Sequence, residues 1–215
     1  MAGVAEGGGS ETYKQNGYHR ESMSCDTAGV PGDVPLEGRL NLFALVIYVP
    51  APLGEFLDGL RRELVPHYNP HAHVSVLPPR PLAVEWSEAS AQVRALTDGW
   101  NPFEIELTQV AVFPVTDVVY IELGAGATEL RRMHAAMNRS VLDFVEPYTY
   151  HPHLTLAQEI RHEDVGRVRD LAVARWREYG GPRRFRAERA VLVQNTLNNC
   201  WIDLAEYALG AVAVR

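Results

Sequence analysis

Several features that would assign this chain of 215 residues to a familiar class are scarce or absent. It has only two cysteines, Cys25 and Cys200, with no CxxC spacing, which excludes a disulfide-dense scaffold and is typical of a reducing compartment. No run approaches about 18 consecutive apolar residues, and the first residues lack the basic and apolar regions of a signal peptide. We therefore expect a cytoplasmic protein with no membrane association.

Lysine is also scarce, and acidic residues outnumber basic residues by 27 to 20. Lys14 is the only lysine, and the formal net charge is -7. A chain with this balance does not hold long nucleic acid by bulk neutralisation of phosphates, although a small anionic substrate is compatible with a locally positive cleft. Arginines are concentrated between Arg161 and Arg189, but the acidic residues between them indicate a solvated amphipathic face rather than an RNA-binding patch.

The amino-acid composition of the chain changes near residue 37. Residues 1–36 are rich in Gly, Ser and other small polar residues, which predicts a disordered tail. Residues 37–215 are long enough for a single domain with a sizeable core. The predicted order strand, helix, strand, helix, strand occurs twice, over about 40–114 and 115–207. We therefore predict an α+β fold made of two duplicated lobes with a groove between them.

Two blocks of seven residues carry the strongest pattern in the chain. "HAHVSVL" occupies residues 71–77 and "HPHLTLA" residues 151–157. Successive side chains of a strand point to opposite faces, so each block should present two histidines and one hydroxyl on one face and apolar residues on the other. The polar faces, which we expect to look into the groove, consist of His71, His73 and Ser75, and of His151, His153 and Thr155.

"HVSV" at 73–76 and "HLTL" at 153–156 are two copies of a His-apolar-Ser/Thr-apolar signature. With them, and with "VAVFPVTDVVYIEL" and "YHPHLTLAQE", the chain resembles the 2H phosphoesterase superfamily, in particular its 2'-5' RNA ligase family, over about residues 40–207. The resemblance implies the bilobal RNA ligase-like fold with a central groove, and no metal or other cofactor. Ser75 stands where Thr is commoner, which keeps the hydroxyl.

The predicted catalytic residues are His73 and His153. Histidine titrates near neutral pH, so one copy can be a neutral base while the other is a protonated acid. On a 2',3'-cyclic phosphate, one would take a proton from water and the other would protonate the departing ribose oxygen, and an RNA hydroxyl in place of water would give ligation. Ser75 and Thr155 would donate hydrogen bonds to the non-bridging oxygens of the phosphate. The symmetric pattern does not assign the acid and the base.

Other residues are weaker candidates. His71 and His151 either line the same groove in support of the pair or lie at the entry of each strand in contact with water. Arg80, just beyond the first block, is either a phosphate ligand or a solvated loop residue. Phe113 and Tyr148 are candidates for stacking on a base, with core packing the preferred interpretation. No role is assigned to His67, His134 and His162.

Two alternative functions stay open. The two HxH pairs could supply four imidazoles to a metal hydrolase, but no carboxylate accompanies them, and Ser75 and Thr155 would have no purpose. The chain could also be a module that binds an RNA end or nucleotide without catalysis. We expect a monomer whose partner is a nucleotide cyclic phosphate or an RNA end as substrate. Groove width and loops, which the pattern does not give, decide among such substrates.

Overall fold

The computed structural model describes residues 38–66, 68 and 71–210 of the chain. The tail predicted over residues 1–36, and His67, lie outside the described residues. Within the described part, no helix has the length and apolar character needed to cross a membrane.

The described residues form eight strands and four α-helices. The strands are β1 (Arg39–Tyr48), β2 (His73–Arg80), β3 (Phe103–Val112), β4 (Val119–Leu123), β5 (His153–Ala157), β6 (Arg184–Ala187), β7 (Arg189–Thr196) and β8 (Trp201–Ala208). The helices are α1 (Leu53–Leu64), α2 (Trp86–Thr97), α3 (Ala127–Met137) and α4 (Val165–Glu178). The predicted repeat of strand, helix, histidine strand, helix and strand is present.

The strands form two antiparallel four-stranded sheets, with orders β2-β1-β7-β8 and β5-β4-β3-β6. The predicted bilobal α+β architecture is confirmed. The lobes do not coincide with residues 40–114 and 115–207, because the first half gives β3 to the sheet of the second, and the second half gives β7 and β8 to the sheet of the first. β3 pairs with β4, and β7 pairs with β1 on the edge that β2 leaves open.

Two local predictions are wrong. Apolar patterning predicts a single strand over "RRFRAERAVLVQN", but this segment crosses between the sheets at Glu188 and forms both β6 and β7. Helical spacing predicts one helix over residues 127–145, but α3 ends at Met137, since Ser140 has a φ of 52°, which a continuous right-handed helix does not allow.

The cores of the two lobes fix the orientation of the histidine strands. Val74 and Val76 of β2 are fully buried, as is Leu154 of β5, while Leu156 is 1% exposed. Because strand side chains alternate, burying these residues against the helices turns His73 and the following alternate residues to the opposite face. Apolar burial therefore orients the polar side chains of both strands towards the space between the sheets.

Candidate active site

The two His-x-Ser/Thr faces line one cavity of about 570 Å³ between the lobes. β2 and β5 are edge strands of their sheets and contact each other. His73 and Ser75 on β2, and His153 and Thr155 on β5, all line this cavity. The structure thus brings together four side chains that are far apart in the sequence.

The two histidine rings are held by equivalent hydrogen bonds. His73 Nδ1 lies 2.8 Å from the backbone oxygen of His71, and His153 Nδ1 lies 2.6 Å from that of His151. A carbonyl only accepts, so Nδ1 carries the proton and donates it in each case. Nε2 of each ring is then available to accept a proton when the ring is neutral, or to donate one when it is protonated.

The surroundings of both histidine rings favour their neutral form. Burial, and after it the positive charge of Arg61, lowers the pKa of His73 from 6.5 to about 4. Burial also lowers the pKa of His153, against the opposing effect of its hydrogen bond to the His151 carbonyl. An anionic phosphate beside the rings favours their charged form, so protonation of one of them is expected on substrate binding rather than in the free protein.

A model of the 2'-5' RNA ligase superfamily matches residues 49–199, a range that contains both histidine strands. The chain belongs to this superfamily. It is a phosphoesterase of the 2H type, as the resemblance of the two signatures predicts.

The similarity to individual relatives is partial. A candidate phosphoesterase of Bacillus cytotoxicus is 29% identical over 132 residues, which cover 58% of this chain and 76% of the relative. An RNA 2',3'-cyclic phosphodiesterase of Aeropyrum pernix is 36% identical over 84 residues, covering 36% of this chain and 45% of the relative. LigT of Escherichia coli in complex with 3'-AMP aligns with a TM-score of 0.56 at 15% identity, covering 80% of this chain and 98% of LigT. At that identity the structural likeness concerns the fold alone.

The outer histidines of the two blocks do not have equivalent surroundings in this phosphoesterase. His71 precedes β2 with a φ of 66° and lines a separate cavity of about 340 Å³ with Asp58 and Asp203. His151 lines the large cavity, and its Nε2 lies 2.8 Å from Glu122 Oε1 without making a hydrogen bond. Of the two interpretations of the outer histidines, His71 fits the second: it is exposed at the entry of β2, where its left-handed backbone interrupts the strand alternation.

The arrangement does not favour the four-histidine metal centre. His71 and His151 line different cavities, so the two HxH pairs do not converge. Across the described parts of the chain, no group of three or more His, Cys, Asp or Glu side chains is placed to hold a metal ion.

Arg80 is a buried structural residue rather than a phosphate ligand. It is 1% exposed and donates hydrogen bonds to Pro78 O at 3.0 Å, Asn138 Oδ1 at 2.6 Å and Leu142 O at 3.1 Å. It also forms an ion pair with Glu146 Oε1 at 2.5 Å. Neither expected contact, with phosphate or with bulk water, is present. The guanidinium instead bonds to Pro78 O and to residues of the segment between α3 and β5.

The same ion pair begins a chain of contacts that reaches Ser75. Glu146 Oε1 also lies 2.8 Å from His134 Nε2, and the His134 ring stacks on Tyr150 with centroids 3.9 Å apart. Tyr150 then donates its hydroxyl to the backbone oxygen of Ser75 at 2.7 Å. This network joins the segment before β5 to the histidine strand of the other lobe. His134 belongs to no motif in the sequence, and its contacts, which involve residues of other segments, have no local sequence signal.

Aromatic side chains form walls of the cavity. Phe113 stacks on Tyr120 with centroids 3.9 Å apart and meets the His153 ring edge-on at 4.9 Å. Tyr148 lines the cavity and is 60% exposed. Core packing, the preferred interpretation of Phe113 and Tyr148, is therefore wrong for both. Trp201 also lines the cavity, although no motif around it identifies it as a site residue.

Proposed function

We propose that this phosphoesterase hydrolyses 2',3'-cyclic phosphates or 2'-5' phosphodiester bonds of RNA ends or small nucleotides, or reverses that reaction as a ligase. The reaction uses His73 and His153 as paired acid and base and requires no metal. The observation that carries the proposal is the equivalent fixing of the two rings, each with Nδ1 bonded to a carbonyl, on the walls of one cavity.

The mechanism follows from the two available Nε2 atoms. One neutral histidine takes a proton from the attacking water through Nε2, and the other, protonated once the phosphate has bound, gives its proton to the departing ribose oxygen. The P–O bond to that oxygen breaks as the bond to water forms, and the product is a phosphomonoester. Ser75 and Thr155 lie two residues along each strand, where their hydroxyls donate to the non-bridging oxygens as negative charge develops there.

The cavity supports a nucleotide-sized substrate. Its volume of about 570 Å³ falls within the range of about 300–1,000 Å³ common to small-molecule sites. Phe113, Tyr148 and Trp201 supply aromatic surfaces of the kind on which unpaired bases stack. The Aeropyrum relative is named as an RNA 2',3'-cyclic phosphodiesterase, and LigT binds 3'-AMP. We further propose that the enzyme acts as a monomer; a cytoplasmic location and a role in RNA processing stay predictions.

A turnover screen tests the proposal. Purified, chelator-treated protein is incubated with the four mononucleotide 2',3'-cyclic phosphates and with oligoribonucleotides that end in the same group, and the position of the product phosphate is read by ³¹P NMR. We expect hydrolysis of at least one substrate class to a single monoester isomer. Tight binding of these compounds without hydrolysis or ligation would instead identify a non-catalytic binding module.

A further inference from the structure

Arg61 is a buried cation in the wall of the catalytic cavity. It lies in the last turn of α1, is 6% exposed, and lines the cavity together with His73. Among the described residues that line this cavity, Arg61 is the only arginine or lysine. A cavity in a protein of net charge -7 that receives phosphate thus has one permanent positive charge in its described lining.

The positive charge and the hydrogen-bond donors of the Arg61 guanidinium are only partly paired with other groups of the protein. Its Nη1 lies 3.3 Å from Asp58 Oδ1, the long end of a hydrogen bond, and its buried Nε has no hydrogen-bond partner among the described residues. The Asp58 carboxylate also accepts the backbone N–H groups of His71 and Ala72, at 3.1 Å and 2.8 Å. A guanidinium has five N–H donors, and leaving a buried charged donor unpaired is costly. Arg61 therefore retains capacity for another anion.

Arg61 also lies close enough to His73 to act on it electrostatically. After burial, the charge of Arg61 is the largest cause of the lowered pKa of His73. An anion bound to Arg61 therefore lies on the His73 side of the cavity.

We propose that Arg61 is a substrate-binding residue that holds an anionic phosphate oxygen beside His73. The inference rests on the proposed function, because a cyclic phosphate or RNA end brings that oxygen into the cavity. A planar guanidinium suits this task, since it can pair with two phosphate oxygens at once. The oxygen belongs either to the reacting phosphate or to a neighbouring phosphodiester of a longer substrate.

The test compares Arg61→Met and Arg61→Lys with Arg177→Met, which removes the same charge from an exposed position on α4. Inorganic phosphate binding is measured by isothermal titration calorimetry. Loss of a charged hydrogen bond predicts that Arg61→Met binds phosphate about ten- to a hundredfold more weakly, that Arg61→Lys is intermediate, and that Arg177→Met matches the wild type.

Kinetics then separate the two sources of the oxygen. If Arg61 holds the reacting phosphate, Arg61→Met raises KM for a cyclic mononucleotide and for a dinucleotide with a cyclic end by similar factors. If it holds the neighbouring phosphodiester, KM rises only for the dinucleotide. Unchanged phosphate affinity and unchanged KM for both substrates, in a folded Arg61→Met protein, would overturn the inference while leaving the proposed function standing.

A measurement on the wild-type protein covers the case in which the methionine variant does not fold. The Arg61 Nε–H resonance, assigned by its absence from Arg61→Lys, should shift on titration with inorganic phosphate, and no shift would overturn the inference. Conversely, a wild-type protein that turns over none of the cyclic phosphates, yet binds phosphate through Arg61, would refute the proposed function alone.

Discussion

Replacing Arg80 with methionine tests the structural role that the buried ion pair has in this phosphoesterase. Methionine has a similar length, so the change removes charge and hydrogen bonds while leaving little empty volume. Four polar contacts are lost, to Pro78 O, Asn138 Oδ1, Leu142 O and Glu146 Oε1. Removing one partner of a buried ion pair costs about 3–5 kcal/mol. Glu146 keeps its contact with His134, which places the expected cost near the lower limit, about 3 kcal/mol.

The assay is urea unfolding followed by circular dichroism, with thermal unfolding alongside. For a domain of this size, about 3 kcal/mol corresponds to a fall in Tm of about 6–12 °C. Arg80 does not line the cavity, so kcat/KM of the folded variant should stay within about fivefold of the wild type, a change below about 1 kcal/mol. Arg177→Met is the control for loss of an arginine at the surface. The reasoning would be refuted by an Arg80→Met protein of wild-type stability whose KM for a cyclic phosphate rises tenfold or more.

Three further predictions concern the histidines, the cavity wall and metal. Because burial lowers the folded-state pKa of His73 from 6.5 to about 4, the unfolded chain binds more protons between these values, so the free energy of unfolding should fall as pH drops through this window. The fall due to His73 is at most about 3 kcal/mol. Urea unfolding at a series of pH values should show that the free energy of unfolding of His73→Gln depends less steeply on pH than that of the wild type. Phe113→Ala should raise KM for a cyclic nucleotide about 5- to 150-fold, since base stacking on an aromatic ring contributes about 1–3 kcal/mol. An unchanged KM would show that the base does not stack on Phe113. Prolonged dialysis against a chelator should leave kcat unchanged, and activity that is lost and then restored by a divalent metal would contradict the metal-independent scheme.

Strand alternation made the central part of the site predictable. A two-residue period is a local property, so it places His73 and Ser75 on one face whatever the rest of the chain does. The apolar residues between them must be buried, and this fixes which face meets the cavity. The same argument failed at His71, where the backbone is left-handed and the strand has not begun.

Other features depend on contacts between distant segments and had no local signal. Arg80 and Glu146 are 66 residues apart, and the exchange of β3, β7 and β8 between the sheets depends on which edges are left open. Arg61 is a case in which a signal was present. It follows Leu57 by four residues and precedes Leu64 by three, so it occupies the buried stripe of α1. A charged residue at such a position predicts a buried functional or paired group.

The measurement that tests the central claim most directly is the turnover of a 2',3'-cyclic phosphate by chelator-treated His73→Ala, His153→Ala and the double variant. General acid or base catalysis is worth about 10²- to 10⁴-fold, so each single variant should lose at least that factor. The double variant should lose far less than the product of the two, because the pair acts as a unit. His162→Ala is the matched control, since the side chain of His162 is 87% exposed and does not line the cavity. A double variant that retains the wild-type rate would contradict the account.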